Sequence, residues 1–244
     1  MKSPSIVMLR RNFKHIARNP TTVFNAVLMP VVVMLMFVYV FGDAFSVGVD
    51  YATPGLLLLA VCYGLGSVAV SVNSDVTKGI INRFKVMDVP RSAVLTGHVI
   101  ASVLTNMLAV AAIVGVAFAL GFSPSASLLD WLGVVGLVVL LSFAAGWLTI
   151  AMGLAAKSPE TAGLASLPLV MLPFFSSAIS PTDKMGPGVR EFAEYQPFTP
   201  IIETLRGLLN GAPSAGDVIP ALAWCVGFAL VGYLWASSTF KKRA

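Results

Sequence analysis

Charge is what this chain has least of. Only 11% of its 244 residues are Asp, Glu, Lys or Arg, against 57% hydrophobic, and the mean hydropathy is +0.86. Globular chains carry about 25% charged residues, so a water-soluble fold of this composition lacks polar surface to cover itself. Membrane embedding is the expectation. Cysteine is nearly absent. Cys62 and Cys225 each lie in an apolar run without CxxC spacing or a nearby His, which reads as small buried hydrophobes rather than redox or metal chemistry. His15 and His98 are the only histidines, one on a basic N-terminal segment and one at the start of an apolar run, and both read as interfacial side chains. HExxH is missing, and so is GxxxxGK followed by Ser or Thr, so no pattern for a zinc site or for nucleotide phosphates is present. No apolar run holds Asp, Glu, Lys or Arg in its central turns, which argues against a proton-driven carrier and against an intramembrane hydrolase. The pI near 9.4 does not point to nucleic acid, because the cations are not gathered into one basic domain.

What is present is a series of long apolar runs. A helix crossing the ~30 Å hydrocarbon core needs about 20 residues. Six runs qualify: Thr21–Phe41, Pro54–Asn73, Val99–Leu120, Trp131–Met152, Thr161–Ile179 and Val218–Ser237. Pro30 is expected to kink the first, Pro168 and Pro173 the fifth. Ser158-Pro159-Glu160 has the order of a helix start: a capping Ser, Pro at the first helical position, then an acid at the positive dipole end. Asn106, Thr105, Ser142 and Asn25 are the mild polar groups within spans, and Asn106 is expected to bond a neighbouring helix. Gly64, Gly66, Gly133, Gly136, Gly146 and Gly232 suit close helix packing and self-association.

The hydrophilic segments organise these spans. Residues 1–20 read as an amphipathic helix lying along a membrane surface. Ile6, Leu9, Phe13, Ile16 and Ala17 share one face, while Arg11, Lys14, His15 and Arg18 look away from it. A signal peptide does not fit, since the apolar run that follows is too long and lacks a small-residue cleavage site. Residues 75–91 carry six charged side chains (Asp75, Lys78, Arg83, Lys85, Asp88 and Arg91) between two apolar runs. At roughly 2.5–3.5 kcal/mol per charge at a bilayer centre, this stretch belongs in water or at a headgroup surface. As a helix it sets Ile80, Phe84 and Met87 on one stripe with Lys78 and Lys85 opposite, and Pro90 ends it.

Orientation follows from Lys and Arg. Thirteen of the sixteen fall on one side: Lys2, Arg10, Arg11, Lys14 and Arg18; Lys78, Arg83, Lys85 and Arg91; Lys157; and Lys241, Lys242 and Arg243. Only Lys184, Arg190 and Arg206 fall on the other. Positive loops stay inside, so both termini and the 75–91 helix are expected in the cytoplasm. The domain organisation expected is therefore a connecting helix over 1–20 and a six-span domain over 21–244.

The one long outer segment, 180–217, holds a helix of its own. Ile201, Ile202, Leu205, Leu208 and Leu209 make one face, and Glu203 and Arg206 lie at i,i+3 spacing where they can pair. Pro197 and Pro200 precede it and Asn210-Gly211 stops it. Such a helix lies on the outer leaflet, or dips into it as a re-entrant element with residues 169–175 as the descending partner, or simply decorates a surface loop.

In this order the fragments resemble the permease subunit of type 2 ATP-binding-cassette exporters, in particular the daunorubicin-resistance drug-efflux branch. The residues are Arg18-Asn19-Pro20 before span one and Phe41-Gly42-Asp43 after it, then Tyr51-Ala52-Thr53-Pro54-Gly55 opening span two. Asp75-Val76-Thr77-Lys78-Gly79 with Arg83-Phe84-Lys85 and Pro90-Arg91 is similar to the family's cytoplasmic motif. Pro197, Thr199-Pro200 and Glu203-Thr204-Leu205-Arg206 resemble its outer helix before the last span. The resemblance covers nearly the whole chain. Where the family often carries an E-x-x-x-G-T pattern, this chain has Asp75 followed by Lys78-Gly79, which agrees with the drug-efflux branch rather than the polysaccharide branch.

The resemblance implies an all-α membrane protein that is not itself an enzyme and holds no cofactor. ATP and Mg belong to two copies of a partner ATPase, and a second permease copy, more often identical than a sister chain, completes the dimer in the inner membrane. Residues 75–91 become the coupling helix, with Phe84 and Met87 filling a groove on the ATPase. Arg83, Lys85 and Arg91 contact its rim, with Asp75, Lys78, Gly79 and Pro90 shaping the element. Arg10, Arg11, Phe13, Lys14 and Arg18 belong to the connecting helix. From position alone, Phe174, Phe175 and Tyr195 are assigned to substrate, an amphiphilic drug or lipid, while Glu203 and Arg206 belong to the outer helix. A membrane scaffold or a glycan-exporter permease are the rival functions.

Overall fold

A computed structural model of the chain describes residues 20–40, 48–78, 91–178 and 180–243, with the side chains of 20–26, 91–94 and 243 excepted. The described residues form eight α-helices and no strand: α1 Pro20–Tyr39, α2 Val49–Thr77, α3 Arg91–Ala119, α4 Leu128–Ala155, α5 Pro159–Met171, α6 Val189–Tyr195, α7 Phe198–Leu209 and α8 Ala215–Arg243. The connecting-helix residues Arg10, Arg11, Phe13, Lys14 and Arg18 lie outside the described residues. So do Gly79, Arg83, Phe84, Lys85, Met87 and Pro90 of the coupling stretch.

Among the described residues four helices are long and apolar enough to cross a membrane: α2, α3 over Leu95–Ala119, α4, and α8 over Ala215–Lys242. Pro30 lies within α1, which runs on as one helix to Tyr39. The fifth run behaves as its prolines dictate. The helix starts at Ser158, whose side chain caps Thr161 N, with Pro159 in the first turn. It carries Pro168, ends at Met171 and passes into a 3-10 turn over Leu172–Phe175. Pro173 has no N–H to donate and its ring crowds the preceding turn, and there the α ladder gives way to the 3-10 turn. Sequence periodicity also misplaces the ends of the second and third runs. The helices extend into polar residues, so Asp75 to Thr77 form the last turn of α2 and Arg91 opens α3.

Helix α4 is the hub, packing against α8, α2, α3, α5 and α7. Small residues make this possible. A Cβ on Gly153 would lie 2.6 Å from the Ala69 carbonyl oxygen of α2, and one on Gly232 would lie 2.4 Å from Leu148 N of α4. Neither position accepts a larger residue without parting the helices. Asn106 of α3 donates to Ser142 Oγ of α4 at 3.3 Å and packs over Gly64 of α2, tying three helices at mid-depth. About two-thirds of the apolar windows of α2 and α4 are buried, against 17% for α8. Helix α8 turns Leu222, Trp224, Val226, Leu230, Leu234 and Trp235 outward. In water that surface would drive aggregation; in hydrocarbon it is matched to its solvent.

Candidate functional site

Two clusters stand at opposite ends of α2. At its start, α7 supplies Arg206, whose sequence-predicted pairing with Glu203 through Nη1 is present. Its Nη2 donates to the Ser177 carbonyl at 2.9 Å and to the Tyr51 carbonyl at 3.4 Å. The guanidinium carbon lies 3.8 Å from the centroid of the Tyr51 ring. Tyr51 Oη in turn donates to the Ser177 carbonyl at 3.2 Å. One cation thus joins α7, the first turn of α2 and the turn that follows α5. The turn approaches closely because Gly55 has no side chain: a Cβ there would lie 2.5 Å from the Ala178 carbonyl oxygen. Gln196 adds a further tie, donating to the Phe175 carbonyl at 2.6 Å.

The rest of the 180–217 segment is built onto this joint. Phe198, Ile201, Ile202, Leu205 and Leu209 of α7 are buried among α2, α4 and α8, and Leu208 packs on Gly133. The apolar face read from the sequence is real, but it is spent inside the chain rather than turned toward lipid. Helix α7 ends at Leu209 with Asn210 as its cap and Gly211 at φ +68°, as the Asn-Gly pair predicts. Short α6 is capped by Glu191, whose carboxylate accepts from Gly188 N. Backbone N–H donors at Glu191 and Gly188 hold that carboxyl below the usual glutamate range. Arg190 and Glu194 pair at 2.7 Å on the exposed face, where solvent screens the contact.

The three residues assigned to substrate from position have different surroundings. Phe174 packs against the main apolar core. Phe175 is half exposed and stands edge-on to Phe192, with ring centroids 6.5 Å apart. Tyr195 is 82% exposed. Among the described residues no three His, Cys, Asp or Glu side chains converge to hold a metal ion.

At the other end of α2, the coupling stretch is framed by a second cluster. His98 of α3 pairs with Asp75 through Nε2 at 3.3 Å, closing the two helices that flank residues 79–90. Asn73 reaches from α2 to the end of α4, donating to the Gly153 carbonyl at 2.9 Å and the Ala156 carbonyl at 2.8 Å. Helix C-termini leave carbonyls without partners, and this one side chain satisfies two of them. Lys78 caps α2 through its backbone N–H and its side chain is exposed. Nothing in the residue order links Asp75 of the coupling element to His98 at the membrane surface. Asn73 does carry a signal, since an Asn closing a long apolar run is suited to bonding a neighbouring backbone.

Helices with lipid-matched surfaces, bound through small residues and capped by polar clusters at both ends, define a multi-pass membrane protein. Residues 5–210 match the ABC-2 type transporter family, and the chain belongs to that family. It is 29% identical over 224 residues to the daunorubicin resistance ABC transporter permease protein DrrB1 of Streptomyces coeruleorubidus, covering 90% of this chain and 77% of that one. It is 24% identical over 221 residues to a probable doxorubicin resistance ABC transporter permease protein, DrrC, of Mycobacterium tuberculosis, covering 88% of this chain and 80% of the other.

Proposed function

We propose that this chain is the membrane-spanning subunit of an ATP-driven exporter that moves amphiphilic drug-like or lipid-like molecules out through the cytoplasmic membrane. The family match over 5–210 carries the reading, and the drug-resistance names of its relatives support the substrate class. ATP is hydrolysed on separate ABC ATPase subunits, two per pair of permeases, and the pair is a homodimer. The spans are six: α1, α2, α3, α4, α5 with its 3-10 extension, and α8. By rise per residue, α5 and the 3-10 turn together reach about 28 Å, close to the hydrocarbon thickness. Both termini and residues 79–90 face the cytoplasm, where Lys and Arg are concentrated.

In this reading the ATPase grips residues 79–90, and Phe84 and Met87 seat in its groove. The His98–Asp75 pair at the base of that stretch keeps α2 and α3 moving together when the motor pulls. The Arg206 joint at the far end of α2 closes the outer side between transport events. A ligand-driven change of state requires different contacts in the two states, and the joint supplies one set to be broken. Co-expression with its ATPase tests the reading. Phe84→Asp is expected to abolish co-purification or substrate-stimulated ATP turnover in proteoliposomes. A complex of unchanged yield and turnover would remove the coupling assignment.

A further inference from the structure

Helix α4 has four glycines, and three of them meet a neighbour. Gly133 faces Leu208, Gly146 faces Val99 and Gly153 faces Ala69, whereas a Cβ on Gly136 would meet nothing within 4 Å. A helix-interior glycine costs about 0.5–1 kcal/mol relative to Ala, and among the described residues no packing requires it. Its effect is to open a groove of about 360 Å³ between α3 and α4, walled by Val103 and Leu104 on one side and Gly136, Val139, Leu140 and Phe143 on the other. The volume is that of a small ligand site, but no polar side chain lines it.

We propose that this groove holds an acyl chain of a membrane lipid as a bound ligand. Depth excludes a headgroup: Gly136 and Phe143 lie roughly 12 and 22 Å along α4 from its start, within a hydrocarbon core about 30 Å thick. Any occupant carrying hydrogen-bonding groups would leave them unsatisfied against these walls. A second copy seated here would have to bury about 20–30 residues a side, well beyond the walls of this groove, whereas one acyl chain needs only the groove itself. The groove is open laterally, so the chain of a neighbouring lipid lies in directly. Filled, it replaces the dispersion contacts that the missing side chain at residue 136 forgoes.

Photolabelling tests this in proteoliposomes of the full chain containing phosphatidylcholine with a diazirine in one acyl chain. Label mapped by mass spectrometry is expected on Val139, Leu140 and Phe143 at no less than about fivefold the level on Leu230 and Leu234 of α8, although those two are the more exposed. Gly136→Leu is expected to erase the excess and leave the α8 label unchanged. If that variant does not fold, Leu104→Trp narrows the groove from the opposite wall and must do the same. Equal labelling of the two faces, or an excess that neither variant moves, overturns the proposal. So does efficient disulfide formation between copies through Val139→Cys, which would mean that protein covers the groove.

Discussion

The Arg206 guanidinium carbon lies over the Tyr51 ring, 3.8 Å from its centroid, while both side chains also donate hydrogen bonds to the Ser177 carbonyl. The cation therefore holds two segments that are far apart in sequence, and each contact restricts the other. Arg206→Ala is expected to cost about 2 kcal/mol, the sum of a shielded cation–π contact and a charged hydrogen bond. Tyr51→Phe keeps the ring and loses one hydrogen bond, about 1 kcal/mol. Limited proteolysis within residues 180–197 should quicken strongly in the first variant and slightly in the second. Identical digestion of both variants and the parent would show that the joint does not hold the outer segment.

Asp75 and His98 make a different kind of test, because the proposed function sets them at the base of the coupling stretch rather than near substrate. His98→Gln and Asp75→Asn are each expected to lower substrate-stimulated ATP turnover severalfold while the complex still assembles. The double variant should be no worse than the worse single one, since paired groups are non-additive. Full additivity of the two losses would mean that the residues work separately.

The α4–α8 contact depends on an absent side chain. Gly232→Ala places a carbon where Leu148 N already sits, and overpacking of this kind costs about 1–3 kcal/mol. Gly227, on the same helix, has nothing within 4 Å, so Gly227→Ala should be neutral or raise stability by about 0.5–1 kcal/mol through helix propensity. Thermal unfolding in detergent distinguishes them: a Tm that falls for Gly232→Ala and holds for Gly227→Ala. Equal shifts would refute the close approach.

Asn73→Leu removes the donor that serves the Gly153 and Ala156 carbonyls. Each buried carbonyl left without a partner costs about 1–3 kcal/mol. Hydrogen exchange over residues 150–158 should accelerate, reporting a frayed end of α4. Unchanged protection there would show that water serves those carbonyls equally well.

Much of the architecture could be read from residue order because lipid imposes one rule on every span, length with few charges. Ser158-Pro159 and Asn210-Gly211 mark helix ends through local chemistry alone, and the structure follows both. The capping box of Ser127 with Asp130 obeys the same chemistry, although the apolar run itself begins only at Trp131. Partners across space were harder. Asn106 announces a polar contact, but nothing in the chain says that Ser142 receives it. Likewise Glu203–Arg206 is visible at i,i+3 spacing, whereas Tyr51 and Ser177 are more than a hundred and about thirty positions from Arg206 respectively. The inward turn of the α7 apolar face was equally hidden, because amphipathicity tells that a face is covered and not by what.

Helix α2 is continuous for 29 residues from Val49 to Thr77. Among the described residues it is also the one element to touch both polar clusters, through Tyr51 near one tip and Asp75 near the other. At 1.5 Å per residue it is a beam about 43 Å long, so rocking it by about 5° around its middle shifts each tip by roughly 2 Å in opposite senses. That is enough to pull a hydrogen bond out of range. A small swing imposed at the Asp75 tip would thus unfasten the opposite face with no intermediary between them.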